Sequence, residues 1–292
     1  MSITATEITS QPTTWRRALT DVDRARELLA APGERVLVIG CGTSAFVAES
    51  IAWLRESAAL GETDAAYASE PRVWRNYDRV IALSRSGTTS EVIDALKAVP
   101  AGVRTVVVTG VADSPAAALA DDVLVLDFAD EESVVQTRFP TTFLILARAA
   151  FGLDTDEALA QLDTALDAPL GIDVAAYDHF VYLGTGWSYG LAQEAALKIR
   201  EAAQAWSESY PLLDYRHGPL AVAHTGSLVW MFGSADERLA EQIRATGATV
   251  ILGTVDPLVE LVQAQRLAVE LAESRGLNPD SPKHLTRSII LA

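Results

Sequence analysis

The 292-residue sequence contains one cysteine, Cys41, and four histidines, so several classes of site are absent from it. One cysteine cannot form an intrachain disulfide, and it cannot supply the thiolates of a cysteine-based zinc site. The histidines include no pair at metal-ligand spacing: His179, His217, His224 and His284. We therefore predict a protein with no disulfide, no metal and no other cofactor.

Positive charge and long apolar runs are also scarce. The chain has 23 Lys and Arg against 39 Asp and Glu, a formal net charge of −16. Such a chain has no overall attraction for nucleic acid or for an anionic membrane, so we expect neither as a partner. No stretch approaches the roughly 18 apolar residues of a membrane span, and the N-terminus lacks the apolar segment of a secretory signal. We therefore expect a cytoplasmic protein.

Short apolar, β-branched runs alternate along the chain with longer alanine-rich stretches. This alternation predicts α/β units built around parallel sheets. The predicted strands lie at 36–39, 79–83, 105–108, 123–126, 180–183, 227–232 and 249–252.

The pattern restarts halfway along the chain. A shift of 144 residues superposes Gly40 on Gly184 and Gly42 on Gly186. We therefore predict an α/β protein of two similar tandem domains, at 24–155 and 170–292, each a mainly parallel sheet flanked by helices. The acidic segment 152–173 is the predicted connection, and it is expected to be helical.

Two predicted strand–helix loops are rich in Gly, Ser and Thr: Gly40–Ser44 and Ser84–Thr89. Ligands of open α/β sheets bind at the carboxyl ends of the strands, where hydroxyls and free helix N–H groups suit a phosphate monoester. Neither loop is a P-loop or a dinucleotide fingerprint. Ordinary capped turns are the alternative for each loop alone. The two loops together favour phosphate binding.

The stretch 193–217 offers a second candidate site. Glu194, Lys198 and Glu201 are spaced to share one helix face, which fits either an exposed salt-bridged stripe or a functional cluster. His217 precedes Gly218-Pro219, which holds it outside a helix interior, in either an incidental or a functional role.

Five motifs occur in order along the chain: CGTS (Cys41–Ser44), SRSGTT (Ser84–Thr89), EAALKIRE (Glu194–Glu201), RHGPL (Arg216–Leu220) and PKHLTRS (Pro282–Ser288). Together they resemble the tandem sugar-isomerase (SIS) domains of the isomerase half of glucosamine-6-phosphate synthase and of related phosphosugar isomerases and deaminases. The resemblance runs from about Arg35 to the C-terminus. It is more specific for the fold and superfamily than for the substrate.

The resemblance implies roles for individual residues. It assigns the sugar phosphate to the hydroxyls of Thr43, Ser44, Ser84, Ser86 and Thr89. It assigns the substrate pocket to Val134 and Gln136, in a stretch VVQTR that is similar to the family's VASTK. Glu201 would be the base that moves a proton between C1 and C2, with Lys198 beside it. His217 would help to open the sugar ring, reaching in from the neighbouring subunit of a homodimer.

Two departures from the family pattern affect the prediction. Arg85 stands where the family's SQSG loop has glutamine, and its side chain could bind phosphate or point to solvent. Arg287 in the C-terminal tail stands where the synthase-like pattern has lysine. An arginine stays protonated and cannot form an imine with a sugar carbonyl, although it could still hold a substrate oxygen or carboxylate.

The resemblance thus implies an enzyme that isomerises a sugar 6-phosphate or amino-sugar 6-phosphate between aldose and ketose. The reaction would run through an enediol or enolamine, with or without loss of the amine. Glu201, His217, Lys198 and Arg287 are the candidate catalytic residues. One alternative is a deaminase or deglycase of a phosphorylated amino sugar. The other is a non-catalytic sugar-phosphate sensor, which the presence of Glu201 and His217 disfavours and the change to Arg287 favours.

Overall fold

The structure, a computed structural model, describes residues 1–233 and 235–291. Its strands are β1 (Val36–Gly40), β2 (Thr63–Tyr67), β3 (Arg79–Leu83), β4 (Arg104–Thr109), β5 (Asp122–Val125), β6 (His179–Gly184), β7 (Trp206–Pro211), β8 (Ser227–Met231) and β9 (Thr249–Leu252). Its α-helices are α1 (Ile3–Thr9), α2 (Gln11–Ala18), α3 (Val22–Leu29), α4 (Thr43–Ser57), α5 (Ser90–Lys97), α6 (Arg138–Ala150), α7 (Asp156–Asp167), α8 (Trp187–Ala203), α9 (Glu237–Arg244) and α10 (Pro257–Ser274). Of these helices, none has the length and apolar content needed to cross a membrane.

The chain divides into two compact units, each assembled from two pieces. The first unit comprises Ser10–Thr155 and the C-terminal tail from Thr286 onward. The second unit comprises Asp156–Leu285 and the N-terminal segment Met1–Thr9. The sequence placed the tail at the end of the second predicted domain, whereas its contacts assign it to the first unit. Ala292, the last residue of that predicted domain, lies outside the described residues.

The first unit contains a five-stranded parallel sheet in the order β2-β1-β3-β4-β5. All residues of β1 and β3 are buried, which explains why both strands appear in the sequence as uninterrupted apolar runs. A core cluster joins this sheet to α5, through residues such as Val80 and Val107 on the strands and Val92 on the helix. Helix α4 packs on β1 and β2.

The second unit contains a four-stranded parallel sheet in the order β7-β6-β8-β9. Helix α8 packs against β6 and β7, and α10 packs against α8. A core cluster that includes Val181, Val229 and Leu239 joins the sheet to α9. The seven strands predicted from apolar runs are all present in the two sheets.

The turn after the first strand of each sheet explains the glycines of the repeat. Gly42 has φ 53° and ψ −126°, and Gly186 has φ 58° and ψ −130°, so the two turns have nearly the same backbone. A Cβ on Gly40 would lie 2.5 Å from a backbone atom of Ser44, and a Cβ on Gly184 would lie 2.3 Å from one of Ser188. Glycine is therefore required where the following helix begins this close to the strand.

Sequence patterns missed two strands. Strands β2 and β7 are edge strands, and most of their residues are only partly buried, so they lack the apolar run of a central strand. Between β4 and β5 the chain forms only a 3-10 turn, Ala117–Leu119, whose Ala117 N–H donates to Ser114 Oγ at 3.4 Å. The predicted acidic connection contains α7.

Glu260, on α10, is a buried carboxyl group that joins two loops of the second unit. Its Oε2 accepts the N–H of Gly233, after β8, at 2.8 Å. Burial raises the pKa of Glu260 from 4.5 to about 7, although hydrogen bonds from the backbone of Gly233, Thr254 and Val255 oppose the increase. The folded protein therefore binds a proton at Glu260 more tightly than the unfolded chain does.

Glu260→Gln should change how stability depends on pH. Because the pKa of Glu260 is higher in the folded state, its contribution to the free energy of unfolding falls as pH rises from about 5 to about 7. Above about pH 7 this contribution no longer changes. The glutamine variant lacks this effect, so the stability of the wild type relative to the variant should decline over the same range. Urea unfolding at several pH values measures the difference. Glu237→Gln, at an exposed position on α9, is the control. If the difference in free energy of unfolding between the wild type and Glu260→Gln does not change with pH, the prediction is wrong.

Candidate functional site

The residues predicted to bind phosphate lie at one edge of the first unit's sheet. Thr43 and Ser44 follow β1, and Ser84, Ser86 and Thr89 follow β3. These two strands are neighbours and end at the same edge, because they are parallel. From β1 the chain continues to β2 on one side of it and then to β3 on its other side. Open α/β sheets bind ligands at such a change of direction, beyond the carboxyl ends of the strands.

The loop Ser84–Thr89, here called the phosphate loop, is held in shape by its own hydroxyl groups. Ser84 Oγ accepts the N–H of Gly87 at 3.1 Å and lies 3.4 Å from Thr89 Oγ1. Thr88 Oγ1 lies 2.9 Å from Ser86 Oγ. Gly87 has φ +64°, and a Cβ there would lie 2.0 Å from Ser114 Oγ, so only glycine fits. The loop leads directly into the N-terminus of α5, where backbone N–H groups favour an anion.

Arg85 does not take the solvent orientation that the sequence left open. Its side chain is buried, at 2% exposure. Nη1 donates to the carbonyl oxygen of Ser133 at 2.8 Å, and Nη2 donates to that of Arg287 at 2.9 Å. Arg85 thus connects the phosphate loop to two other segments of the first unit.

The predicted pocket residues Val134 and Gln136 lie in the segment that Arg85 contacts. Glu131 links the start of this segment to its end, because its Oε1 accepts the side-chain hydroxyl of Thr137 at 2.8 Å and the N–H of Arg138 at 2.8 Å. Gln136 Oε1 is buried and has no hydrogen-bond partner among the described residues. A buried amide oxygen without a partner is costly in a folded protein, which suits a group that binds a ligand hydroxyl.

Arg287 is held within the first unit by contacts of its side chain. Nη2 contacts both carboxylate oxygens of Asp130, at 2.7 and 2.6 Å, and Nε donates to the carbonyl oxygen of Glu131 at 3.0 Å. The guanidinium that the sequence offered as a candidate catalytic group is therefore bound to a carboxylate of its own chain.

Cys41, in the loop before α4, does not have the properties of a nucleophile. Burial, and then the nearby charge of Glu91, raise the pKa of its thiol to about 11. The thiol therefore stays protonated at neutral pH, and only the thiolate is strongly nucleophilic.

In the second unit, the candidate acid–base residues form a buried cluster on α8. Lys198 Nζ lies 2.6 Å from Glu201 Oε2 and 3.2 Å from Glu194 Oε1. The side chains of Lys198 and Glu194 are each 1% exposed, whereas that of Glu201 is 19% exposed. The exposed salt-bridged stripe that the spacing also allowed is therefore excluded.

Lys198 is charged in this cluster. Its burial lowers the pKa of the ammonium group, but the Glu194 and Glu201 carboxylates raise it by more, so the pKa lies above its ordinary value. Removal of one partner from such a buried pair typically costs about 3–5 kcal/mol. Lys198 therefore provides a fixed positive charge beside the more accessible carboxylate, Glu201.

His217 lies far from Glu201 within the second unit. Helix α8 begins after the carboxyl end of β6 and runs back toward the start of β7, so Glu201 is near the amino edge of the sheet. His217 follows the carboxyl end of β7, which places it at the opposite edge, about 20 Å away along the helix direction. The histidine is exposed and makes no side-chain hydrogen bond to another described residue.

Sequence reasoning missed several residues that shape the site. Asp130 and Glu131 hold Arg287 and the pocket segment, and Thr88 and Ser288 contact each other beside the phosphate loop. Only Thr88 had a signal, as a hydroxyl within the phosphate loop. In the part of the chain that the structure describes, His, Cys, Asp and Glu form no group of three that could hold a metal ion.

Comparison with known proteins identifies the family. A family model described as SIS domain matches residues 28–151, which lie in the first unit. This match covers one domain, whereas the sequence predicted two in tandem.

Individual relatives extend the similarity over the rest of the chain. The glutamine–fructose-6-phosphate aminotransferase [isomerizing] of Methanothermobacter thermautotrophicus is 30% identical and aligns with 97% of this chain and 56% of its own length. The chain spans about half the length of the curated relatives it matches. A crystal structure of glucosamine-6-phosphate deaminase from Thermotoga maritima is 30% identical, with a TM-score of 0.87 over 99% of this chain and 100% of that one. Tagatose-6-phosphate ketose/aldose isomerase from Escherichia coli shares the fold, with 21% identity and a TM-score of 0.81 over 100% of this chain and 96% of that one.

Proposed function

The chain belongs to the SIS-domain family of phosphosugar isomerases, and from this premise we propose that it is an aldose–ketose isomerase of a sugar 6-phosphate or amino-sugar 6-phosphate. The relatives named above act on phosphorylated sugars, as an aminotransferase, a deaminase or an isomerase. The observation on which the proposal rests is the partly accessible Glu201 carboxylate, held 2.6 Å from the buried Lys198 ammonium. A protein that only senses a sugar phosphate has no need of such a pair.

The proposed reaction needs three groups. Glu201 removes a proton from one of the C1/C2 carbons and returns it to the other, through an enediol or enolamine. Lys198 stabilises the negative charge that develops beside that carboxylate. His217 acts as the acid or base that opens the cyclic sugar. No step in this sequence requires a metal or an organic cofactor.

We further propose that His217 acts in the neighbouring subunit of a homodimer. Within one chain, His217 follows the carboxyl end of β7 and Glu201 lies near the end of α8, toward the opposite edge of the sheet, which favours a histidine supplied by another copy. A symmetric dimer can supply the histidine of one copy to the other. A homodimer is therefore part of this proposal, and the cytoplasmic location expected from the sequence is proposed with it.

We also propose that the second unit is a diverged copy of the SIS domain. The strand order β7-β6-β8-β9 repeats β2-β1-β3-β4 of the first sheet. The edge-strand register repeats as well, because Asp64 pairs with Leu37 as Glu208 pairs with Val181, with both pairs 144 residues apart. The sequence that follows β8 begins Phe232-Gly233-Ser234 and has no run of hydroxyl residues like that of the phosphate loop.

Phosphorylated sugars should bind far more tightly than the free sugars. Loss of a set of charge-assisted hydrogen bonds typically lowers affinity by about ten- to several-hundred-fold. Thermal-shift titrations with glucose and glucose 6-phosphate, and with glucosamine and its 6-phosphate, measure the difference. Ser86→Ala should weaken binding of the phosphorylated ligands only, and Ser57→Ala, at an exposed site on α4, is the matched control. Equal stabilisation by phosphorylated and free sugars would exclude the phosphate assignment.

Deamination is the second candidate function, because one relative that aligns over its whole length, at 30% identity, is a glucosamine-6-phosphate deaminase. Arg287 has no nucleophilic amine and cannot form an imine with the sugar, so any deamination here proceeds without a tail lysine. Parallel assays of ammonia release and ketose formation from glucosamine 6-phosphate separate the two reactions. Binding without either product would support the sensor instead.

A further inference from the structure

The two residues that depart from the family pattern contact each other in the structure. Arg85 lies in the phosphate loop and Arg287 in the C-terminal tail, 202 positions apart. The buried guanidinium of Arg85 donates to the carbonyl oxygen of Arg287 at 2.9 Å. Its other terminal nitrogen donates to the carbonyl oxygen of Ser133, at the start of the pocket segment, at 2.8 Å.

Residue 287 is therefore fixed through both its backbone and its side chain. Nη2 of Arg287 contacts both carboxylate oxygens of Asp130 and Nε donates to the carbonyl oxygen of Glu131, so two nitrogens set the orientation of the guanidinium. The side chains of the Asp130–Arg287 ion pair are about one-third exposed, so solvent weakens their attraction. The pair therefore contributes more to the orientation of Arg287 than to stability.

The tail beyond Arg287 follows the phosphate loop and the start of α5. Ser288 Oγ lies 3.0 Å from Thr88 Oγ1. The N–H of Ser90 donates to the carbonyl oxygen of Ile289 at 3.2 Å, and the N–H of Leu291 donates to Ser90 Oγ at 2.9 Å. The tail thus contacts the phosphate loop at residues 287 and 288 and the first residue of α5 at residues 289 and 291, all within the first unit.

We propose that Arg85, Asp130 and Arg287 form a latch that holds the C-terminal tail against the phosphate loop, and that Arg85 is a positioning residue for the phosphosugar site. A guanidinium has donors on separate nitrogens and can bridge two carbonyl oxygens that lie apart. A glutamine at this position, as in the family's SQSG pattern, has a single donor nitrogen on a shorter side chain. The tail of this chain is thus a fixed wall of the site rather than the carrier of a reactive amine.

The latch can be tested without any ligand. Hydrogen exchange of the C-terminal peptide, measured by mass spectrometry, should be at least about tenfold faster in Arg85→Gln than in the wild type, because the tail loses its buried anchor. Arg85→Lys keeps the charge but carries all its donors on one nitrogen, which cannot reach two carbonyl oxygens that lie apart, so it should be intermediate. Asp130→Asn removes the second anchor and should also speed exchange, and it provides an independent test if Arg85→Gln fails to fold. Unchanged tail exchange in folded Arg85→Gln or in Asp130→Asn would overturn the latch.

Arg79→Gln is the control for general destabilisation. Arg79 is also a buried arginine of the first unit, bound to the Leu28 carbonyl and to the Glu34 carboxylate. Its loss should lower stability without a selective increase of exchange in the tail. If tail exchange rises equally in Arg79→Gln and Arg85→Gln, the effect is global and the latch is excluded.

The positioning role rests on the proposed function and has its own readout. Arg85→Gln should raise KM for the sugar phosphate by about tenfold or more and change kcat by only a few fold, with partial rescue by Arg85→Lys. Faster tail exchange with an unchanged KM would overturn the positioning role. A wild-type protein that turns over no sugar phosphate would overturn the proposed function instead, and the exchange measurement would still decide whether the latch exists.

Discussion

Glu201→Gln should lower turnover of the sugar phosphate by about two to four orders of magnitude and leave its binding intact. The substitution keeps the shape of the side chain and removes the base. Lys198 retains Glu194 as a partner 3.2 Å away, so the buried ammonium remains paired and the helix should fold normally. Turnover is measured by ketose or aldose formation, and binding by thermal shift with the same ligand.

Glu194→Gln distinguishes a base from a residue that only keeps Lys198 charged. Both carboxylates contact the Lys198 ammonium, but Glu194 is fully buried and only Glu201 is accessible to a substrate carbon. If Glu201 acts only through Lys198, the two variants should lose similar amounts of activity. If Glu201 is the base, Glu194→Gln should lose much less. Near-wild-type turnover by Glu201→Gln would reject the assignment.

Mixing two inactive variants should restore activity if His217 acts in the partner subunit. A heterodimer of His217→Ala and Glu201→Gln then has one site with both groups intact and one site that lacks both. Half of the dimers in an equal, fully exchanged mixture are heterodimers, so about one quarter of wild-type activity should return. If both groups of a site came from one chain, each site of the heterodimer would lack one group and no activity would return.

The matched control is a mixture of Glu201→Gln with the double variant that carries both changes. No pairing in this mixture gives a complete site in either arrangement, so any activity would come from contamination. Mass spectrometry of the mixed sample demonstrates subunit exchange. Absence of recovery despite that exchange would show that His217 is not supplied by the partner, and a monomeric wild type would exclude the shared site directly.

Sequence patterns predicted the parts of this molecule that depend on local chemistry. Buried central strands such as β1 and β3 have to be apolar throughout, so they appear as runs, and Gly40 and Gly184 mark turns that no other residue fits. The edge strands β2 and β7 were missed because partial exposure leaves them free to be polar. The spacing on α8 predicted that Lys198 and its neighbours share a face, but only packing shows that the face is buried.

Contacts between distant segments could not be predicted. Arg85 and Arg287 each looked like an isolated substitution, and only the fold shows that the side chain of one bonds to the backbone of the other. No sequence pattern pointed to Asp130, because it is one of 39 acidic residues and only the structure shows that it binds Arg287. The separation of His217 from Glu201 likewise follows from the direction in which α8 runs along its sheet, and spacing alone does not give it.

Each terminal segment of the chain belongs to the unit that it does not adjoin in sequence. This arrangement affects how the protein folds during synthesis and where it can be cut into separate units. The N-terminal helix α1 belongs with the second unit, where Asp280 accepts the N–H and the hydroxyl of Thr4, at 2.7 and 2.8 Å. During synthesis, α1 has to wait for its partner Asp280 until that residue has been translated, and the phosphate loop gains its tail contacts only after residues 287–291 have been made. A gene cut near residue 155 would leave each half without one of its own segments. Separate expression of the two units should therefore succeed only when each terminal segment is fused to the unit that it completes.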